Sequence, residues 1–166
     1  MSEQIEFGPG DFVVYPAHGV GRVDGVETYT IGGQDVTLYA ITFEKERMKL
    51  KVPVGKAKNA GLRRLSTNDR IKDALATLQG RARVKRTMWS RRAQEYEAKI
   101  NSGDPVSIAE VVRDLYRNTD QPEQSFSERQ IFQAALERLA RELAAVEKID
   151  EQKATEKLQQ VLAKVA

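Results

Sequence analysis

The hydrophobic period of this 166-residue chain changes near Leu65. Ten of its eleven glycines lie at or before position 80, most of them between short β-rich runs. From Ser66 onward, apolar residues recur at helical spacing. A period of two and a period of 3.6 belong to different elements, so the switch predicts two domains, residues 1–65 and residues 66–166.

In the first part, Asp11–Tyr15 (DFVVY) ends at Pro16, and Gly19 and Gly21 punctuate the run that follows. Gly32-Gly33 is a two-residue hairpin signal. After it, Val36, Leu38, Ala40 and Thr42 share one strand face, and Thr37, Tyr39, Ile41 and Phe43 the other. Met48, Leu50 and Val52 alternate with Lys49 and Lys51, giving one wet, cationic face before Pro53. Four or five short strands in sixty residues suggest a small Tudor- or SH3-like β-barrel.

In the second part, Ser66 or Thr67 is placed to cap a helix carrying Ile71, Ala74, Leu75 and Leu78, which Gly80 ends. A second helix runs within 81–101. Asp104-Pro105 is a cap with Pro at the first helical position, followed by Ile108, Val111, Val112 and Leu115 on one side. Ser127 opens a fourth helix with a capping box to Gln130 and a staple from Phe126 to Ile131. Asp150 starts the last, bearing Ala154, Leu158 and Leu162. Residues 118–125 are the expected flexible loop. The fold class is α+β: the small barrel, then a compact all-α bundle.

Residue types narrow the chemistry. The chain has no Cys, which removes disulfides, thiolate catalysis and Cys-bound zinc and fits a reducing cytosol. The single His, His18, lies in the turn Pro16-Ala17-His18-Gly19 and reads as a turn or packing residue. Gly19-Val20-Gly21-Arg22-Val23-Asp24 is no dinucleotide fingerprint, because Asp24 stands at its sixth position and no helix follows. Glu44 and Glu46 fall in a charged run that reads as a solvated turn. The chain is expected to be neither an enzyme nor a holder of metal or cofactor. Its acidic start is unlike a signal peptide, and no apolar run approaches the ~18 residues of a membrane span.

Charge is unevenly spread. Residues 1–66 hold nine Lys/Arg against eight Asp/Glu, residues 67–99 nine against four, and residues 100–166 nine against twelve. The basic middle segment is either a solvated helix face or a polyanion contact. On one helix, Arg81, Lys85, Arg92 and Lys99 would fall within about a 40° arc. Trp89, Ala93, Tyr96 and Ile100 cluster on another face, which favours Trp89 as core. Alternatively Thr87 caps a new helix, putting Trp89 and Arg91 in its first turn, where backbone N–H groups are open to phosphate and a flat side chain can wedge against bases. The strand Met48–Val52 has two readings as well. As an edge strand it would add to a partner's sheet, or its lysines would merely guard the edge.

Several stretches together are familiar. Gly10-Asp11-Phe12-Val13-Val14-Tyr15-Pro16-Ala17-His18-Gly19-Val20-Gly21, the strand ending Lys51-Val52-Pro53, Trp89-Ser90-Arg91-Arg92, and Ala109-Glu110-Val111-Val112-Arg113-Asp114-Leu115-Tyr116 resemble the bacterial CarD/CdnL transcription regulators over nearly the whole chain. The first stretch alone also resembles the polymerase-interacting module of transcription-repair coupling factors. The resemblance implies a Tudor-like domain docking on the RNA polymerase β subunit by sheet extension. It implies a helical domain touching promoter DNA at the upstream edge of the melted region, with no enzymatic activity and a stabilised open complex, notably at ribosomal RNA promoters.

Carried over, Trp89 matches the tryptophan that packs into the distorted minor groove, with Arg91 and Arg92 the basic pair beside it. Lys85 and Arg86 extend that contact on the charge pattern. Lys51 and Pro53 match the polymerase-facing strand, to which Lys49 and Val52 also belong. Tyr29 is expected on the polymerase-binding face too, where some members carry Arg, and Ala93-Gln94 stands where some carry an aromatic and a basic residue. The resemblance turns the expectation for Trp89 to an exposed wedge. The expected protein is a cytoplasmic monomer, nucleoid-associated through the polymerase. It binds promoter DNA with little sequence specificity and no membrane; the alternative is a protein–protein adaptor on polymerase without a DNA contact.

Overall fold

The computed structural model describes residues 5–82, 87–117 and 124–165. The chain divides into two compact units, Met1–Leu65 and Ser66–Ala166.

The first unit is an antiparallel sheet of β1 (Phe12–Tyr15), β2 (Gly19–Ile31), β3 (Gln34–Phe43), β4 (Met48–Pro53) and β5 (Arg63–Arg64), with a short helix α1 (Val54–Ala57) after β4. The strand order is β4-β3-β2-β1-β5. Gly32 and Gly33 take φ of +59° and +80° and turn the long β2–β3 hairpin, which side chains with a Cβ rarely permit. Between Val23 and Gly25 the register shifts at a bulge, a place where strands bend and twist more strongly. The inner face buries Val13, Val23, Tyr39, Ile41, Phe43 and Val52, as the period-two pattern requires. Phe7 adds an edge-on ring contact to Tyr39, centroids 5.4 Å apart.

Among the described residues no ladder joins β5 back to β4. The small barrel expected from strand count is therefore an open sheet here, compatible with a Tudor-like domain. Strand lengths explain it: β5 has two residues and pairs only with Val13 and Val14.

Gly21 lies opposite Val13, where a Cβ would sit 2.7 Å from Ile41 Cγ2 and from Phe43 Cε1. His18 is a packing residue. Its ring stacks on Tyr15 at 5.7 Å, and its Nδ1 lies 2.9 Å from Glu46 Oε2, tying the β1–β2 turn to the β3–β4 turn.

The second unit contains α2 (Asn68–Leu78), α3 (Trp89–Asn101), α4 (Pro105–Leu115), α5 (Phe126–Glu147) and α6 (Glu151–Val165). Thr67 caps α2 by accepting from the Arg70 N–H, and Asp104 caps α4 by accepting from the Ser107 N–H. Asp150 Oδ1 accepts from the Lys153 N–H ahead of α6. The cap of α5 differs from expectation. Ser125, not Ser127, accepts from the Glu128 N–H, and Phe126 is helical and 72% exposed, so it does not staple onto Ile131. The pair Ser125–Glu128 has the capping-box spacing too, and it starts the helix two residues earlier.

The helical core is built from Ile71, Leu78, Val112, Leu115, Leu139, Leu143 and Leu158, among others. Two carboxylates are buried with it, Asp114 and Glu142. Arg113 Nε donates to Asp114 at 2.9 Å. Glu142 Oε2 accepts from the Ser66 N–H at 2.8 Å, just ahead of α2, where the helix's positive end favours an anion.

Candidate functional site

Two surfaces carry the residues singled out by sequence. The first is the start of α3. Gly80 follows the end of α2, and the new helix begins only at Trp89. Met88, not Thr87, is the N-cap, and no side chain caps the turn. No acidic residue stands in this first turn either. Trp89 is therefore neither core nor a free wedge. It is partly buried against the helical core, and its Nε1 donates to Ser127 Oγ at 3.1 Å, near the start of α5. Its ring lies 6.2 Å from that of Tyr96. The Tyr96 phenol is pushed up from its ordinary pKa by burial and by nearby Asp114.

The two arginines diverge. Arg91 is exposed. The Arg92 guanidinium lies over the Trp89 ring, 5.1 Å from its centroid, and its Nε is buried with no hydrogen-bond partner among the described residues. Stacked this way, Arg92 stiffens the indole as a cation–π partner. Lys85 and Arg86 lie outside the described residues, as does most of the loop expected over 118–125.

The continuous cationic stripe expected over 81–99 is not a single helix face. Arg81 precedes α3, and Lys99 is paired with Glu110 at 2.9 Å. Periodicity could not see where α3 starts, because the sequence just before Trp89 contains no residue that stops a helix.

The structure adds neighbours that sequence missed. Met88, 77% exposed, precedes Trp89, and exposed Phe126 precedes Ser127, the indole's hydrogen-bond partner. Phe126 was legible only as a staple, since the bond between its neighbour Ser127 and Trp89 is tertiary.

The second surface is β4. It is an edge strand, which leaves a row of backbone groups unpaired on one side. Lys49 and Lys51 lie opposite Thr42 and Ala40 and are exposed. Val52 is 5% exposed, so its side chain belongs to the core and only its backbone is available at the edge. Pro53 closes the strand opposite Leu38.

Tyr29, on β2, reaches Lys51 across β3. Lys51 Nζ donates to Tyr29 Oη at 2.7 Å, and Tyr29 Oη donates to Glu27 Oε2 at 2.6 Å. The bond from Tyr29 first, and then one from Lys51, whose Nζ lies 3.1 Å from the same oxygen, hold the Glu27 carboxyl below its ordinary pKa. The same Tyr29 bond, with Glu27 next, holds the Lys51 ammonium above its own. Glu27 was not picked out from sequence, because the Lys51 that completes its cluster comes from another strand, β4.

Among the described residues no three His, Cys, Asp or Glu side chains could hold a metal ion, and no helix is long and apolar enough to cross a membrane. A sheet with a lysine-bearing edge strand is followed by a helical unit with an arginine-flanked tryptophan at a helix start. Residues 7–66 match the CarD-like/TRCF RID domain and residues 73–159 the CarD C-terminal domain, in that order. The chain belongs to the CarD family. It is also 28% identical over 142 residues to YdeB of Bacillus subtilis (strain 168), described as a candidate transcription factor, covering 86% of this chain and 93% of YdeB.

Proposed function

We propose that this chain is a non-enzymatic regulator that docks on the RNA polymerase β subunit through β4 and stabilises the promoter open complex through Trp89 and Arg91 at the upstream fork, notably at ribosomal RNA promoters. The observation that carries this is the placement of Trp89. It opens α3 in an uncapped first turn free of acidic side chains, anchored by Ser127 and stiffened by Arg92. Such a turn favours phosphate, and an indole held in it can stack on a base exposed by melting. Met88 and Phe126 enlarge the apolar surface beside it. Lys85 and Arg86 would add phosphate contacts.

Docking through the edge strand raises the local concentration of a weak DNA contact. The indole binds the distorted fork better than closed duplex and shifts the closed–open equilibrium by that difference. A stacking contact of about 1–3 kcal/mol gives roughly a 5- to 150-fold shift. No constellation suited to reading base edges is present among the described residues, so the contact is expected to be salt-sensitive and indifferent to sequence.

The partial burial of Trp89 favours a second reading, a polymerase adaptor in which the indole only packs. Open-complex lifetime at a ribosomal RNA promoter, with matching polymerase, separates the two. Wild type should prolong it, and Trp89→Ala, shown folded by circular dichroism, should not. A folded Trp89→Ala protein with full effect would establish the adaptor reading instead.

A further inference from the structure

Glu27, Tyr29 and Lys51 form a closed cluster on the exposed face of the sheet. Two hydrogen bonds join them in sequence, and the Lys51 ammonium lies 3.1 Å from the same Glu27 oxygen that accepts from Tyr29. That ammonium also sits over the Tyr29 ring, 4.8 Å from its centroid. Glu27 and Tyr29 pair with Leu38 and Val36 on β3, and Lys51 with Ala40, so the cluster bridges β2 to β4 over the intervening strand.

Its side chains are 51% exposed at Lys51 and 42% at Glu27, and exposed ion pairs add little to folding. A lysine on an edge strand ordinarily samples many rotamers, and a partner that uses it must freeze them. Here the freezing is done before any partner arrives. Two of the three ammonium donors are engaged, which leaves one for an incoming acceptor.

We propose that Glu27 and Tyr29 are positioning residues that hold the Lys51 ammonium ready for a carboxylate on the polymerase strand that pairs with β4. The inference rests on β4 being the docking edge. Lys49, exposed on the same strand, supplies the excess positive charge that favours an acidic partner once Glu27 has offset Lys51.

The test is equilibrium binding of the full chain to RNA polymerase core enzyme, with a melting curve for each variant. Glu27→Gln and Tyr29→Phe should each weaken binding about three- to tenfold, the range for one side chain newly immobilised on binding. Melting should be unchanged, and neither variant should add to the loss caused by Lys51→Met. A tighter Glu27→Gln complex would mean that the cluster holds Lys51 back, and would overturn the inference. So would unchanged binding, or a loss that persists in the Lys51→Met background; in these cases a weakened Lys51→Met complex leaves the docking edge standing. Unchanged affinity of Lys51→Met would overturn the docking edge, and the positioning role with it.

Discussion

Trp89 and Gly21 show what a single position can and cannot reveal in sequence. The Trp89 periodicity pointed to the core and the helix-start signal to the surface, and each was half right. The indole packs on one side and sits at a helix start. Trp89→Ala should accordingly cost under about 2 kcal/mol by chemical denaturation, below the ~3–5 kcal/mol of a fully buried tryptophan. A larger loss would place the indole in the core. Gly21 gave no such conflict, and its role is steric. A methyl there meets Ile41 and Phe43 in the tightest part of the sheet core. Gly21→Ala should destabilise the sheet unit by about 1–3 kcal/mol through overpacking, read as a lower denaturant midpoint for the sheet signal. An unchanged midpoint would mean that the two side chains move aside freely. The buried carboxylates Asp114 and Glu142 were invisible beforehand. Each occupies the inner side of an amphipathic helix; the partner of Asp114 is its neighbour Arg113, whereas only the fold brings the Ser66 N–H to Glu142.

At the scale of elements, caps and periods were legible where they are local. Thr67, Asp104 and Asp150 each bond an N–H three residues ahead, so a short window contains the whole interaction. At α5 the local reading chose Ser127 and was wrong, because Ser125 has the same spacing to Glu128 and caps the helix. Closure of the sheet was not legible at all, because it depends on pairing between chain ends far apart in sequence.

Asp104 offers a titration. Burial pushes its carboxyl up, but bonds from Arg70 and Ser107 outweigh this and hold it below the ordinary value of 3.8. A lowered folded-state pKa means stability present above the unfolded value and lost as pH falls through the folded one. The helical unit should lose stability below about pH 4, and Asp104→Asn, which keeps a capping oxygen, should flatten that loss. Denaturant midpoints followed by helical circular dichroism from pH 2 to 6 measure it. Equal acid sensitivity in both proteins would assign the loss to other carboxylates.

Across the whole molecule, the charge count placed the basic excess correctly in sequence but not in space. Lys99 is already paired with Glu110, so fewer cations are available to phosphate than the count over 67–99 suggests. The salt slope of DNA binding should therefore be shallow, equivalent to about two to four phosphate contacts, measured as log Kd against log salt concentration. A slope nearer nine would mean that every cation of the segment takes part. The two units keep separate hydrophobic interiors, one within the sheet and one among the helices. Cellular proteases act on whichever part opens first, so the lifetime of a damaged copy follows its weaker half, however sound the other remains.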